Sequence, residues 1–256
     1  MGRVNGKVVI ITGAASGQGA AEAAALAAEG AQVVATDIQD PLEPLPAGVT
    51  FRRLDVASPE DWTATAEWLK GEHGTVHGLV NNAGITWRAR LDEVKLEDWD
   101  RVLRINLTSA LLGIQAITPL MTDGGSVVNI SSRAGLSGHF TVAYTAAKWG
   151  LRGLSRVASM ELGPKGIRCN CLFPGYIDTP MSASAPDWFR ESSLEEIPLG
   201  RLGTVDDITP LMIFLMADES SYISGAEFSV DGGEYGHAGV KRYSDLARQG
   251  GLYKRS

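Results

Sequence analysis

Cysteine is nearly absent: the 256 residues hold two, Cys169 and Cys171. They stand two apart in a strand-like run, so both side chains point to one face. That spacing provides no disulfide framework. Small apolar packing in a reducing cytoplasm is the expectation. Histidine is also scarce, at four residues. His73 and His77 are four apart, but Gly74 between them falls at a helix end, and no metal site is expected. Long apolar runs are missing, which excludes a membrane-spanning helix. Met1 to Lys7 carries no apolar signal region ahead of the first strand. Positive charge is not in excess either. The formal net charge is -7, so the chain gains no counterion-release attraction to nucleic acid, and DNA and RNA are not expected partners.

What is present is material for a packed core. Lys7–Thr12 is a short apolar run rich in β-branched residues and predicts a buried strand. An Ala-rich helix follows to Glu29, stopped by Gly30. Further strands are predicted at Gln32–Thr36, Val49–Leu54, Gly78–Asn81, Ser126–Ile130, Arg168–Phe173 and Glu227–Val230. Ser58-Pro59-Glu60-Asp61 is a helix start, with Ser as N-cap, Pro in the first turn and two acids facing the helix dipole. Leu96 towards Met121, Tyr144–Leu162 and Asp206–Met216 read as helices. Strands and helices alternate without a linker or a repeat. The pattern predicts one α/β domain over residues 1–256: a doubly wound parallel sheet with helices on both faces. Tyr176–Gly200 is long for an irregular connection and carries Met181, Trp188, Phe189 and Leu194, so it reads as a lid.

Four motifs carry chemistry. Thr12-Gly13-Ala14-Ala15-Ser16-Gly17-Gln18-Gly19 lies between the first strand and the first helix. Glycines there permit a tight turn and let backbone approach a pyrophosphate seated at the helix N-terminus. The spacing is G-x-x-x-G-x-G, and no lysine follows, which excludes the ATPase phosphate loop. Asp37 ends the second strand, 18 positions after Gly19. A carboxylate there accepts hydrogen bonds from adenosine ribose hydroxyls and repels a 2′-phosphate, so the expected cofactor is NAD. Tyr144 and Lys148 are four apart on a helix and share a face. A free phenol titrates near pH ~10, and a neighbouring cation is expected to lower that value and make Tyr144 a usable acid/base. Ser131-Ser132 closes the strand before that helix and offers a hydroxyl to a developing alkoxide.

Together these motifs resemble the short-chain dehydrogenase/reductase family over nearly the whole chain, from Lys7 to about Gly233. Gly13, Gly17 and Gly19 match its coenzyme motif, with Gln18 where Ile or Leu is usual and Ser16 beside them. Asp55-Val56 resembles the pair that contacts adenine, and Asn81-Asn82-Ala83-Gly84 the motif that supports the sheet beside the cofactor. Pro174-Gly175-Tyr176-Ile177-Asp178-Thr179-Pro180 resembles the stretch that holds the nicotinamide. The resemblance implies a Rossmann-type fold and a catalytic set of Asn106, Ser132, Tyr144 and Lys148. It implies that Tyr144 is the general acid/base and that Lys148 binds the nicotinamide ribose. Ser132 would orient the substrate oxygen, with Ser131 the alternative one register away. Asn106 would hold a water on the proton path. The backbone of Ile177 and the side chain of Thr179 would anchor carboxamide and phosphate.

Within the family, Tyr144–Leu162 and Ser221–Gly233 are similar to bacterial hydroxysteroid dehydrogenases of the 3α/20β type. Leu136, His139, Tyr176, Met181, Trp188 and Phe189 are candidate substrate contacts, and Trp87 and Trp149 are expected to pack in or near helices. A secondary-alcohol dehydrogenase acting on a bulky apolar substrate is the leading reading. A β-ketoacyl-thioester reductase and a non-catalytic NAD sensor are the alternatives. Asp37 argues against the first, and retention of Ser132, Tyr144 and Lys148 against the second. The family also implies a homotetramer, paired through the helices carrying Asn106 and Tyr144. Apolar residues at Val102, Leu103, Ile105, Leu107, Leu111, Leu112 and Ala116 cover more of one helix than a single sheet-facing stripe needs. The tail from Glu234 to Ser256 carries Lys241, Arg242, Arg248, Lys254 and Arg255, with Tyr235, Tyr243, Leu246, Leu252 and Tyr253. Two readings stand: a frayed terminus, or a tail that packs across an oligomer interface and helps close the substrate pocket.

Overall fold

The computed structural model describes residues 2–249. In chain order the elements are β1 (Val8–Thr12), α1 (Gly17–Ala28), β2 (Gln32–Asp37), β3 (Val49–Arg53), α2 (Pro59–His73) and β4 (Gly78–Asn81). Next come α3 (Leu96–Leu103), α4 (Ser109–Ile117), β5 (Gly125–Ile130), α5 (Val142–Leu162), β6 (Ile167–Pro174), α6 (Pro180–Ala183), α7 (Asp187–Glu196), α8 (Val205–Met216), β7 (Glu227–Val230) and α9 (Lys241–Gln249). The seven strands form one sheet in the order β3-β2-β1-β4-β5-β6-β7. Every pairing is parallel. All five residues of β1 are buried, as a strand covered on both faces requires.

Two apolar layers sandwich the sheet. Val9, Ile11, Val33, Ala35 and Val128 pack against Leu26 of α1 and Ile208, Met212 and Leu215 of α8. Val8, Ile10, Val34, Leu79 and Val127 pack against Trp62 and Leu69 of α2, Ile114 of α4 and Ala158 and Leu162 of α5. The alternation of β1 residues between these layers is the period-two rule at work. Ser58 caps α2 as expected, accepting from the Asp61 amide at 3.0 Å. Both cysteines are buried and free. Burial raises the Cys169 thiol to about 12 and the Cys171 thiol to about 11, so neither is a ready nucleophile. His77 and His73 serve separate packing roles. The Val8 amide donates to His77 Nδ1 at 3.0 Å, and the His73 ring meets Trp68 edge-on at 5.7 Å.

Two predicted elements need correction. The helix Leu96–Met121 is not continuous: Arg104–Thr108 is a π-helical turn between α3 and α4, and the last turn tightens to 3₁₀ at Thr118–Leu120. Leu107, assigned above to a surplus apolar face, is covered within the chain, because a Cβ on Gly150 of α5 would lie 2.6 Å from its Cδ2. The lid is not irregular, since it carries α6 and α7. The tail forms α9, while Leu252, Tyr253, Lys254 and Arg255 lie outside the described residues. Among the described residues no helix is long and apolar enough to cross a membrane.

The order reverses between β1 and β4. In open parallel sheets that switch point opens a crevice at the carboxyl ends of the strands, and the chain's chemistry-bearing motifs sit there.

Candidate active site

A cavity of about 450 Å³ occupies this crevice. Gly13, Ser16, Gly17, Gln18 and Gly19 line it from the β1–α1 turn, Asp37 from the end of β2, and Asp55 and Val56 from beyond β3. Asn82, Ala83 and Gly84 line it after β4, Asn106 from the π turn, and Ser132 after β5. Tyr144 and Lys148 enter from α5, and Pro174, Gly175, Ile177 and Thr179 from the end of β6. Every predicted catalytic and cofactor-binding residue thus borders a single space.

The glycine turn is built for close approach. Gly13 has φ +66°, and a Cβ there would lie 2.7 Å from Ala83 Cα. A Cβ on Gly19 would lie 2.4 Å from the Gly13 carbonyl oxygen. Thr12 and Asn82 stitch the turn to β4. The Thr12 hydroxyl accepts from the Asn82 and Ala83 amides at 3.1 and 3.0 Å, and Asn82 Nδ2 donates to the Thr12 and Gly13 carbonyls at 2.9 and 3.0 Å. Ser16, the N-cap of α1, makes no side-chain capping bond, and the first turn holds no acid. The leading amides of α1 are therefore available to an anion. The Asp37 carboxylate accepts from the Ala15 amide through one oxygen and the Gln39 amide through the other, both at 3.1 Å. This cradle fits a dinucleotide, with its pyrophosphate at α1 and its adenosine towards Asp37.

Gln18 has an unexpected partner. Its Nε2 donates to Glu22 Oε1 at 2.9 Å, and Glu22 is fully buried with its second oxygen unpartnered. Burial raises the Glu22 carboxyl from its ordinary 4.5 to about 8, against the Gln18 hydrogen bond. The folded state therefore keeps a proton that the unfolded chain releases above about pH 4.5. Stability falls as pH rises from there to about 8 and then levels off. Glu22→Gln removes the titration and keeps the size. It should raise the melting temperature by about 5 °C or more at pH 9 and by much less at pH 5. Equal melting of variant and wild type at both pH values would refute the assignment.

The catalytic candidates sit on three elements. Asn106 is buried, and its side chain clamps the loop after β4. Oδ1 accepts from the Ile85 amide at 3.1 Å, while Nδ2 donates to the Ile85 and Val102 carbonyls at 2.9 and 3.0 Å. Both amide protons are thereby spent on backbone, which explains why a π turn is held at this point in the helix. The two serines separate by role. Ser131 is buried and donates to the Lys148 carbonyl at 2.9 Å. Ser132 caps the 3₁₀ turn that follows, accepting from the Ala134 amide at 3.2 Å, and lines the cavity with Tyr144.

Burial pushes the phenol above its ordinary 10.0, and the Ser132 hydrogen bond works in the opposite direction. This corrects the expectation that Lys148 sets a low value for Tyr144. The ammonium lies 5.6 Å from the Tyr144 ring centroid and donates to the Ile130 carbonyl at 2.8 Å. Lys148 is itself buried, and burial lowers it to about 8. Both groups are desolvated, so neither charge comes freely.

The far end of the cavity is aromatic. Phe189 of α7 meets His139 and Phe140 edge-on, each at 5.9 Å, and Tyr176 at 5.7 Å. His139, Tyr176, Met181 and Phe189 line the space. Leu136 and Trp188 do not. Leu136 is buried in a separate cluster with Cys171 and Phe173, and Trp188 packs on the outer side of Phe189, half exposed. Trp87 and Trp149 are also partly exposed, under Arg101 and Arg152 respectively. Sequence reasoning missed Ile85, Thr86, Arg88, Arg133 and Phe140, which also line this end. Phe140, adjacent to His139, was the one with a readable signal. The tail reaches the site's edge. Glu234 pairs with Arg133, next to Ser132, and His237 Nε2 lies 2.8 Å from the Glu196 carbonyl on the lid helix.

A glycine cradle at a sheet switch point, beside a serine–tyrosine–lysine set whose lysine is buried, defines an oxidoreductase that works with a nicotinamide nucleotide. The family model described as enoyl-(acyl carrier protein) reductase matches residues 13–234. A 3-alpha-(or 20-beta)-hydroxysteroid dehydrogenase of Mycobacterium tuberculosis is 42% identical over 242 residues, 91% of this chain and 90% of that protein. A trans-4-hydroxycyclohexanecarboxylate dehydrogenase of Sinomonas cyclohexanicum is 42% identical over 248 residues, covering 91% and 94%. A 3-oxoacyl-(acyl-carrier-protein) reductase of Thermotoga maritima is 40% identical over 242 residues, covering 90% and 98%. The chain belongs to the short-chain dehydrogenase/reductase family and is an enzyme of the kind that interconverts secondary alcohols and ketones.

Proposed function

We propose that the protein is an NAD-dependent dehydrogenase for a secondary alcohol carried on an aliphatic ring. The observation that carries the reading is that Tyr144, Ser132 and Lys148 line one cavity together with the glycine cradle and the aromatic chamber. Bound nicotinamide would take or give the hydride. Tyr144 gives or takes the accompanying proton, and Ser132 orients the substrate oxygen. Lys148 holds the ribose with its ammonium, and the Asn106 clamp keeps the loop at Ile85 in register with it. Ile177 and Thr179 hold the carboxamide and the phosphate from the start of the lid. Asp37 supports NAD over NADP, and the relatives whose names specify a cyclic alcohol support the ring. The test is a screen of steroid alcohols, cyclohexanols and acyl-thioester ketones with NAD and NADP, followed by nicotinamide absorbance. Turnover confined to acyl thioesters with NADPH would replace this reading with the reductase. Tight NAD binding with no turnover would replace it with a sensor.

The enzyme works as a homotetramer in a reducing cytoplasm, where two free thiols persist. Exposed Leu111 on α4 and Val157 and Met160 on α5 support burial against a second copy. Light scattering that returns a monomer mass at micromolar concentration would refute the assembly.

A further inference from the structure

The substrate end of the cavity is cationic in an otherwise acidic protein. Among the described residues Asp37 and Asp55 are the only carboxylates lining the cavity, and both belong to its adenosine end. Arg88 and Arg133 line the opposite end, among the aromatic rings. Arg133 is neutralised by buried Glu234. Arg88 makes no ion pair among the described residues, and its guanidinium donates only to the Ser184 hydroxyl on the lid, at 3.2 Å. A hydroxyl satisfies one donor of a five-donor fork and none of its charge.

We propose that Arg88 is a specificity residue that binds a carboxylate on the substrate, remote from the hydroxyl that is oxidised. The substrate class is then a ring-borne secondary alcohol that also bears a carboxylate. This rests on the dehydrogenase reading above. The ring lies against Phe140, Tyr176 and Phe189, its hydroxyl towards Tyr144 and Ser132, and its carboxylate towards the mouth of the cavity, where Arg88 is exposed. Arg88 and Arg133 both act on His139, which burial first and these two charges next lower to about 4. His139 is therefore neutral at physiological pH and adds no competing charge.

The test compares 4-hydroxycyclohexanecarboxylate with its methyl ester and with cyclohexanol, at saturating NAD. Wild type should prefer the acid to the ester in kcat/KM. Arg88→Gln should lower that acid-over-ester ratio by about 10- to 100-fold, mainly through KM for the acid, as expected for loss of a charge-assisted bidentate pair. Arg88→Lys should restore part of the ratio. Ser184→Ala removes the lid contact without removing charge and should keep the ratio. Equal losses on acid and ester in Arg88→Gln, matched by Ser184→Ala, would make Arg88 a lid latch and overturn the proposal. A raised Kd for NAD in Arg88→Gln would assign the charge to the cofactor instead. Wild type that oxidises ester and cyclohexanol as well as the acid sinks the carboxylate site alone. Wild type that oxidises none of the three sinks the dehydrogenase reading with it.

Discussion

Tyr144→Phe is expected to lower kcat by about a hundredfold or more, in both directions of the reaction. The substitution keeps the ring and removes the phenolic hydroxyl proposed to pass a proton to the substrate oxygen. NAD affinity should change little, because the proposed ribose contact belongs to Lys148. The pH profile carries the sharper signature. Burial raises the phenol above its ordinary 10.0, so Tyr144 holds its proton at neutral pH. That form is the acid that ketone reduction needs. Alcohol oxidation needs the phenolate, so kcat/KM for oxidation should climb with pH well into the alkaline range. Reduction should fall over the same interval. Tyr144→Phe should flatten both limbs. A variant with near-normal turnover, or a wild-type oxidation rate that does not rise with pH, would end the proposed role of this residue.

The parts of the molecule legible in the sequence are those where one residue type answers one physical demand. Gly13 and Gly19 could be read because no Cβ fits where their backbones pass Ala83 and the Gly13 carbonyl. Tyr144 and Lys148 could be read because four residues on a helix fix a shared face. What escaped depends on contacts made by the finished fold. The π turn at Arg104–Thr108 goes with the Asn106 clamp on Ile85, a residue 21 positions away. Helix α7 follows Pro186 in a stretch whose aromatic residues look like a loop until Phe189 meets His139, Phe140 and Tyr176. The order of charges was also invisible. Spacing suggested that Lys148 would govern Tyr144, but burial of both groups outweighs a cation already engaged by the Ile130 carbonyl. Arg88 lies in no motif, and only the closing of the lid over the loop after β4 gives it a place in the chamber.

Asp37→Ala combined with Ile38→Arg is expected to shift cofactor preference from NAD towards NADP, raising the NADP-over-NAD ratio of kcat/KM by about a hundredfold or more. Two changes act together. Removing the carboxylate ends the like-charge repulsion against a 2′-phosphate, and the arginine supplies an opposite charge on the side chain that follows it. Ile38 already lines the cavity and is half exposed, so a longer side chain there displaces no core. The local hydrogen bonding favours the switch as well. Asp37 now accepts from the Ala15 and Gln39 amides. Without it those amides are freed at the position where phosphate oxygens would arrive, and they can donate to the new anion as they did to the old one. Asp37→Asn is the informative control. It keeps an acceptor for one amide while removing the charge, so it should weaken NAD binding and improve NADP use only modestly. Melting curves on each variant separate a lost fold from a changed preference. A wild-type enzyme that already turns over faster with NADP, or a double variant whose ratio does not move, would show that Asp37 does not choose the cofactor.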